Sequence, residues 1–286
     1  MKFAIIAAGE GSRLTDEGVL QPKPLVQLGG ECLVDRLLRI FIDNGATEIA
    51  VICNAQMTLV REHLEEVRKE LNGCRVPLHL VVKSTPSSMH SLYELSELLE
   101  GEPFVLTTVD TIFREEEFAQ YVKTFRAMMD ENARHERDVV DGLMGVTDYI
   151  DDEKPLYVDV DNRQILNFYD TPTPARENRN KEEETLYVSA GIYGLSSRSL
   201  KTLKKCVERG EQRMRNFQRA LIADGMTLHA WRFSKVLDID HASDITKAEN
   251  FLKEGSPLQP PILEAPSNLP PLGEASDLLE RGLVDG

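Results

Sequence analysis

A chain of 286 residues, 41% hydrophobic and 28% charged, carries enough apolar material for one large core, or for one core with a small accessory lobe. Its formal net charge of −15 excludes a general polyanion-binding surface, because counterion release from DNA or RNA needs clustered lysine and arginine. Nucleic acid is therefore not an expected partner, and any site for a phosphate compound must concentrate positive charge locally, with a metal ion as the natural helper.

The first half alternates short apolar runs with amphipathic segments. "FAIIAA" (3–8) is followed by a helical "LVDRLLRIFIDNG" (33–45), then "EIAVIC" (48–53), a helix over 57–71, "LHLVV" (78–82), a helix over 91–99 and "FVLTTVD" (104–110). Runs of strand length separated by helices of 3.6 period predict βαβ units, hence a Rossmann-like three-layer α/β domain with a mixed, mainly parallel sheet. Asn44-Gly45 is the expected stop for the first long helix.

The second half predicts longer, partly antiparallel strands in 139–146, 156–170 and 185–196, with a hairpin turn at Asp161-Asn162. Residues 171–184 are polar and proline-bearing and read as a loop. Helices are expected at 197–209 and 212–224, a strand at 227–233, and a last helix at 243–254 that Ser243 or Asp244 caps. Residues 257–271 then hold six of the 14 prolines, so the chain divides into a main domain over 1–254 and a proline-rich tail over 255–286. Leu278, Leu279 and Leu283 in that tail leave docking onto the body, or onto a second subunit in a homo-oligomer, open.

Cys32, Cys53, Cys74 and Cys206 lack CxxC pairing and metal-ligand spacing, which predicts reduced thiols with packing roles. No stretch approaches the ~20 apolar residues of a membrane span, so no membrane partner is expected and a cytoplasmic location is the default.

The glycines after the first strand are not a dinucleotide fingerprint, because Leu14 stands where the third glycine belongs and no acidic residue closes the second strand. They are not a Walker loop either, since no lysine follows at that spacing. What remains is a glycine turn at the C-terminal end of a strand, where the backbone of Ala8, Gly9 and Gly11 is free to approach phosphate oxygens, with the Ser12 hydroxyl and the Arg13 guanidinium beside it. Ten residues beyond Arg13, Lys23 stands between Pro22 and Pro24, which hold its backbone and aim one positive charge.

"AAGEGSRL" followed by "PKPLV", a helix and "GATEIAVI" resembles the signature of the nucleotidyltransferases that make nucleotide-activated sugars and alcohols, well over residues 1–112 and more loosely over 185–252. The resemblance implies a GT-A-like fold. It also implies Mg²⁺-dependent transfer of a nucleoside monophosphate from an NTP (CTP or UTP/dTTP) to a phosphorylated sugar or alcohol, releasing pyrophosphate. Arg13, Lys23 and Asp110 would be the catalytic residues, and Ala8, Gly9, Gly11, Ser12, Arg13, Asn54 and Ser88 would bind the nucleotide.

Asp110, at the end of its strand, would be the first Mg²⁺ ligand. Asp238 or Asp240 would be the second: a sugar-type "DxG" alignment favours Asp238, a cytidylyltransferase-type "ExD" alignment Asp240. We expect these two to project from opposite faces of an extended segment. Ser91, Ser189 and Gly191 would line the acceptor pocket, although Ser88 and Ser91 equally suit helix capping.

The form "SSMHSLYEL" looks more like cytidylyltransferases of choline-type phosphates than like sugar enzymes, and the sugar-specific lysine segment is missing from "LNFYDTPTPARENR". The histidines are left out of the chemistry. A non-catalytic nucleotide-binding regulatory module on the same fold is the alternative.

Overall fold

The computed structural model describes residues 1–73, 76–134, 139–172 and 185–254. The predicted tail and most of the 171–184 loop therefore lie outside the described residues.

The chain opens with β1 (Lys2–Ala7), a one-turn α1 (Ser12–Asp16), and the short strands β2 (Gln27–Leu28) and β3 (Glu31–Cys32). It continues through α2 (Leu33–Asp43), β4 (Ile49–Cys53), α3 (Thr58–Gly73), β5 (Leu78–Val82), α4 (Ser88–Leu99) and β6 (Phe104–Thr108). After β7 (Thr111–Ile112) comes α5 (Glu115–Arg134), a long helix the sequence reading passed over. Next are β8 (Gly142–Thr147), β9 (Tyr157–Asp161), β10 (Gln164–Tyr169) and β11 (Tyr187–Leu195). Last come α6 (Ser199–Glu208), α7 (Met214–Ala223), β12 (Leu228–Arg232), β13 (Leu237–Asp238) and α8 (Ala242–Lys253).

Nine strands form one sheet in the order β5-β4-β1-β6-β11-β8-β12-β10-β9. Its parallel block is β5-β4-β1-β6, and β11 joins β6 and β8 antiparallel, so the mixed sheet carries more antiparallel pairing than expected. The reason is local: β9 and β10 form a hairpin and β11 runs against both β6 and β8, while β8 and β12 stay parallel.

Alternation along β1 decides the layers. Phe3, Ile5 and Ala7 pack with α2, α3, α5 and α8 on one face, through Phe41, Leu64, Phe118 and Phe251, while Ala4 and Ile6 meet α4, α6 and α7 on the other, through Leu92, Leu203 and Phe217. Two apolar faces explain why the parallel strands read as unbroken apolar runs.

The predicted hairpin turn lies one residue later than expected. Asn162 (φ 44°) and Arg163 (φ 75°) take the two left-handed positions, because a two-residue turn must match the right-handed twist of its strands.

Arg39 on α2 holds Glu115 at the start of α5 at 2.9 and 3.0 Å and Glu31 of β3 at 2.9 and 3.0 Å. The Arg39 hydrogen bonds hold the Glu115 carboxyl below the ordinary value of 4.5. A depressed folded pKa gives stability that is present above the unfolded value and is lost as pH falls through the folded one. Glu115→Gln should thus cost about 1 kcal/mol or less at neutral pH, since the pair is partly exposed and solvent-screened. Urea melts at a series of pH values should show the gap from wild type closing below pH 4.5.

Candidate active site

The site begins where β1 ends. Ala8, Gly9 and Glu10 leave the sheet over its C-terminal edge, and Gly11 turns left-handed (φ 63°) to start α1. A Cβ on Gly11 would stand 3.1 Å from Lys23 Cβ, so glycine here serves both the turn and the approach of the lysine stem. Pro22 and Pro24 hold Lys23 in a tight turn closed by the Leu25 N–H to the Pro22 carbonyl at 2.8 Å. The two sequence motifs are thereby one packed unit.

The carboxylates are brought in by a small ribbon. β7 pairs with β13, with Thr111 opposite Asp238, and the Ile239 N–H donates to the Asp110 carbonyl at 3.2 Å. Residues some 130 positions apart in sequence thus converge on Lys23. Its Nζ lies 2.7 Å from Asp110 Oδ2 and 2.8 Å from Asp240 Oδ1. Burial acts to lower the Lys23 pKa, but the Asp110 and Asp240 carboxylates outweigh it and the ammonium is held above its ordinary value. Asp240 is also burdened by partial burial, which the Lys23 hydrogen bond and charge overcome, so its carboxyl lies below the usual range.

The expectation that Asp238 and Asp240 face opposite ways is overturned. Side chains two apart in an extended segment share a face, and both line the same cleft. Asp238 faces open cleft, yet the surrounding walls strip solvation from it and Asp110 and Asp240 add negative charge, which together push its carboxyl well above the usual range. Asp240 has Lys23 and, at 3.4 Å, Arg13 Nη1, whereas nothing comparable offsets Asp238. Asp110 and Asp240 at Lys23, with Asp238 in the adjoining cleft wall, offer hard oxygen donors of the kind a small divalent cation takes.

Two clefts meet at this cluster. One, of about 430 Å³, is lined by Ala8, Gly9, Lys23, Asn54, Ser88 and Asp110. The other, of about 250 Å³, is lined by Arg13, Asp152, Glu153, Ser189, Asp238 and Asp240. Lys23 bridges the two through Asp110 on one side and Asp240 on the other.

Several predicted residues have duties of their own. The Asn54 amide braces three loops, accepting from the Gln56 N–H at 3.0 Å and the Ser84 hydroxyl at 2.6 Å and donating to the Ala8 carbonyl at 3.4 Å. Ser87, one position before Ser88, caps α4. Ser91, expected with the acceptor, is buried in the wall of the larger cleft and shares a 2.6 Å hydrogen bond with Thr85, because the first turn of α4 tucks beneath the loop. Ser12 is exposed and lines neither cleft.

Ser189 does line the smaller cleft and donates to Gln218 Oε1 at 3.1 Å. Gly191 does not; it occupies an irregularity in β11 with φ 70°, facing Thr111, so the strand bend explains the glycine.

Asp244 accepts from the Asp240 and His241 N–H groups at 3.1 and 2.8 Å, the capping role expected of it. Sequence reasoning missed Asp151, Asp152 and Glu153, whose only signal was an acidic run after an apolar strand. It also missed Glu17, which accepts from the Ala242 N–H at 2.7 Å and so ties the glycine-loop segment to α8. Among the described residues no helix is long and apolar enough to cross a membrane.

The chain is similar to several known proteins. Glucose-1-phosphate cytidylyltransferase of Salmonella typhimurium is 25% identical over 131 residues, covering 39% of this chain and 51% of that protein, so the chain spans about half the length of the curated relatives it matches first. CMP-5'-(3-aminopropyl)phosphonate synthase of Streptomyces rubellomurinus is 26% identical over 168 residues, covering 54% and 25% respectively. The solved structure of CTP:phosphocholine cytidylyltransferase from Streptococcus pneumoniae superposes with a TM-score of 0.62 at 17% identity, covering 88% of this chain and 99% of that one, which shows a shared GT-A-like fold. With the profile of the MobA-like NTP transferase domain matching residues 3–149, from β1 through the Lys23 and Asp110 segments to the end of β8, the chain belongs to that family.

Proposed function

We propose that this chain transfers a nucleoside monophosphate from a pyrimidine nucleoside triphosphate, CTP or UTP/dTTP, to a phosphorylated acceptor and releases pyrophosphate. The observation that carries the reading is the Lys23–Asp110–Asp240 cluster at the junction of two clefts, one for each reactant. The acceptor phosphate oxygen attacks the α-phosphorus, a new P–O bond forms there, and the bond to the β-phosphate oxygen breaks. An acceptor phosphate is already ionised at neutral pH, so no protein base is needed and positioning with electrostatics suffices.

Asp110, with Asp238 or Asp240, would hold Mg²⁺, which supplies charge neutralisation at the α-phosphate when bound. Lys23 is the residue that answers the negative charge developing in transfer. The backbone of Ala8, Gly9 and Gly11 accommodates the phosphate chain, with the Arg13 fork at its border. The lack of compensation at Asp238 favours it over Asp240 as the second ligand. If so, Asp238→Asn should weaken the Mg²⁺ dependence of turnover more than Asp240→Asn; equal Mg²⁺ titration midpoints would remove the distinction.

The smaller cleft speaks to the acceptor. Asp151, Asp152 and Glu153 add carboxylates beyond the metal-binding set, against Arg13 and Lys247. Such a lining suits an acceptor with a cationic head, a phosphorylated or phosphonylated amino alcohol, and the aminoalkylphosphonate relative is in keeping with it. A sugar 1-phosphate is the second reading, supported by the glucose-1-phosphate relative.

The test is to incubate the full chain with each pyrimidine NTP, Mg²⁺ and a panel of choline-type phosphates, aminoalkyl phosphonates and sugar 1-phosphates, following pyrophosphate. Release with amine-bearing acceptors supports the proposal, and release with sugar phosphates alone moves the assignment to the second reading. Nucleotide binding without release for every pairing would make the chain a regulatory module.

A further inference from the structure

On the face of the sheet that carries α2 and α3, Cys32, Asp35 and His63 bring one ligand atom each to within 4.8 Å of one another. None of the three lines either cleft. Cys32 closes β3 and precedes the first turn of α2, Asp35 lies in that turn, and His63 reaches across from α3. The Cys32 thiol donates to Asp35 Oδ2 at 2.8 Å, His63 Nε2 lies 2.7 Å from Asp35 Oδ1, and sulfur and ring nitrogen are 3.9 Å apart. A sequence with 30 residues between the cysteine and the histidine shows no metal spacing, which is why the thiol reads there as packing alone.

We propose that these three side chains form a transition-metal site, selective for Zn²⁺ over the Mg²⁺ of the cleft. Sulfur, nitrogen and oxygen donors around one tetrahedral Zn²⁺ stand roughly 3.3–3.6 Å apart, given metal–ligand distances of about 2.0–2.3 Å. The observed separations straddle that range, so each donor needs to shift by less than about 1 Å. A soft thiolate with imidazole excludes Mg²⁺, which prefers oxygen alone.

Cys32 is buried while Asp35 and His63 are only partly so, which leaves an entry path and room for water as the fourth ligand. On binding, the Sγ–H proton leaves to the buffer and an Sγ–metal bond takes its place. In the metal-free protein the thiol keeps that proton in its hydrogen bond to Asp35, and loading releases it.

The site would tie α3 to the junction of β3 and α2. That junction returns directly to the Lys23 turn, since the Leu33 N–H donates to the Val26 carbonyl at 3.1 Å and the Val26 N–H to the Lys23 carbonyl at 3.1 Å. A metal here stiffens the support of the catalytic lysine without entering the chemistry.

The experiment uses the full chain, stripped with chelator and kept in excess Mg²⁺ so that the carboxylate cleft is occupied, and titrated with Co²⁺ and then Zn²⁺. One equivalent of Co²⁺ should produce a thiolate-to-cobalt charge-transfer band with tetrahedral d–d bands and release one proton, and Zn²⁺ should then displace the Co²⁺ and bleach both bands with no further proton release. Cys32→Ser should abolish the charge-transfer band, and Cys206→Ser should keep it. His63→Gln, at a partly exposed position that the fold tolerates, should weaken Co²⁺ affinity roughly 100-fold or more, beyond the cost of losing a group behind a ligand. It should also erase the rise in Tm that Zn²⁺ gives the unaltered protein. Absence of a charge-transfer band in the folded chain, its persistence in Cys32→Ser, or unchanged affinity in His63→Gln overturns the site and leaves a hydrogen-bonded side-chain cluster.

Discussion

Lys23→Ala should lower turnover by about 100-fold or more, the cost typical of removing one electrostatic stabiliser from a preorganised site. The side chain is largely buried and its ammonium has Asp110 and Asp240 as partners at 2.7 and 2.8 Å. Its removal therefore has a second effect. Asp110 and Asp240 then lose their shared cation, with Arg13 and His241 still acting on Asp240, and breaking a partly buried pair by deleting one member should destabilise the fold by roughly 1–3 kcal/mol. Because that loss comes from uncompensated carboxylates, Mg²⁺ should restore most of the Tm while turnover stays low. Turnover within a few-fold of wild type would remove Lys23 from the chemistry, and a Tm deficit insensitive to Mg²⁺ would make the lysine a packing residue.

Asp110→Asn should also lose about 100-fold or more in turnover, with a smaller effect on stability. The substitution keeps volume and takes one carboxylate from Lys23, but it leaves Asp240 as the lysine's partner and removes one of the charges that push the Asp238 carboxyl upward, so in Mg²⁺-free buffer the variant should melt above Lys23→Ala. The rise in Tm on adding Mg²⁺ should shrink, since a ligand that binds only the folded state stabilises it in proportion to its affinity. The two variants are thus distinguished by sign: Lys23→Ala gains more from Mg²⁺ than wild type, and Asp110→Asn gains less. A full Mg²⁺ response in Asp110→Asn would place the cation on other carboxylates.

Local pattern was enough for most of the elements. The apolar runs became β1, β4, β5 and β6 within a residue or two, because a strand covered on both faces leaves an unbroken hydrophobic signature. α5 escaped because its first turn, Glu115-Glu116-Glu117, reads as polar while its buried face is spread over Phe118, Tyr121, Val122 and Phe125. The hairpin slipped by one because Asn162 signals a turn without saying which of the two central positions it takes.

The glycine loop and Lys23 were legible from unusual backbone requirements, a left-handed glycine and a lysine between two prolines, and Asp110 from its place just after an apolar strand. Pairing and facing were not. Whether Asp238 and Asp240 enter one cleft depends on the β7–β13 ribbon, and whether Ser91 meets ligand or loop depends on how α4 seats itself. Gly191 carried a signal of backbone strain that resembles the signal of ligand approach, and only the bend in β11 separates them.

Sequence by itself therefore determined the α/β class, the strand ends and the kinds of charge placed beside them, since these follow from periodicity and from local backbone geometry. Only the tertiary structure decided which charges touch. The Lys23 cluster joins segments more than 200 residues apart, and Cys32 meets His63 across two helices. Such contacts are fixed by sheet order and helix packing, long-range consequences of burying two apolar faces that no local run of residues encodes.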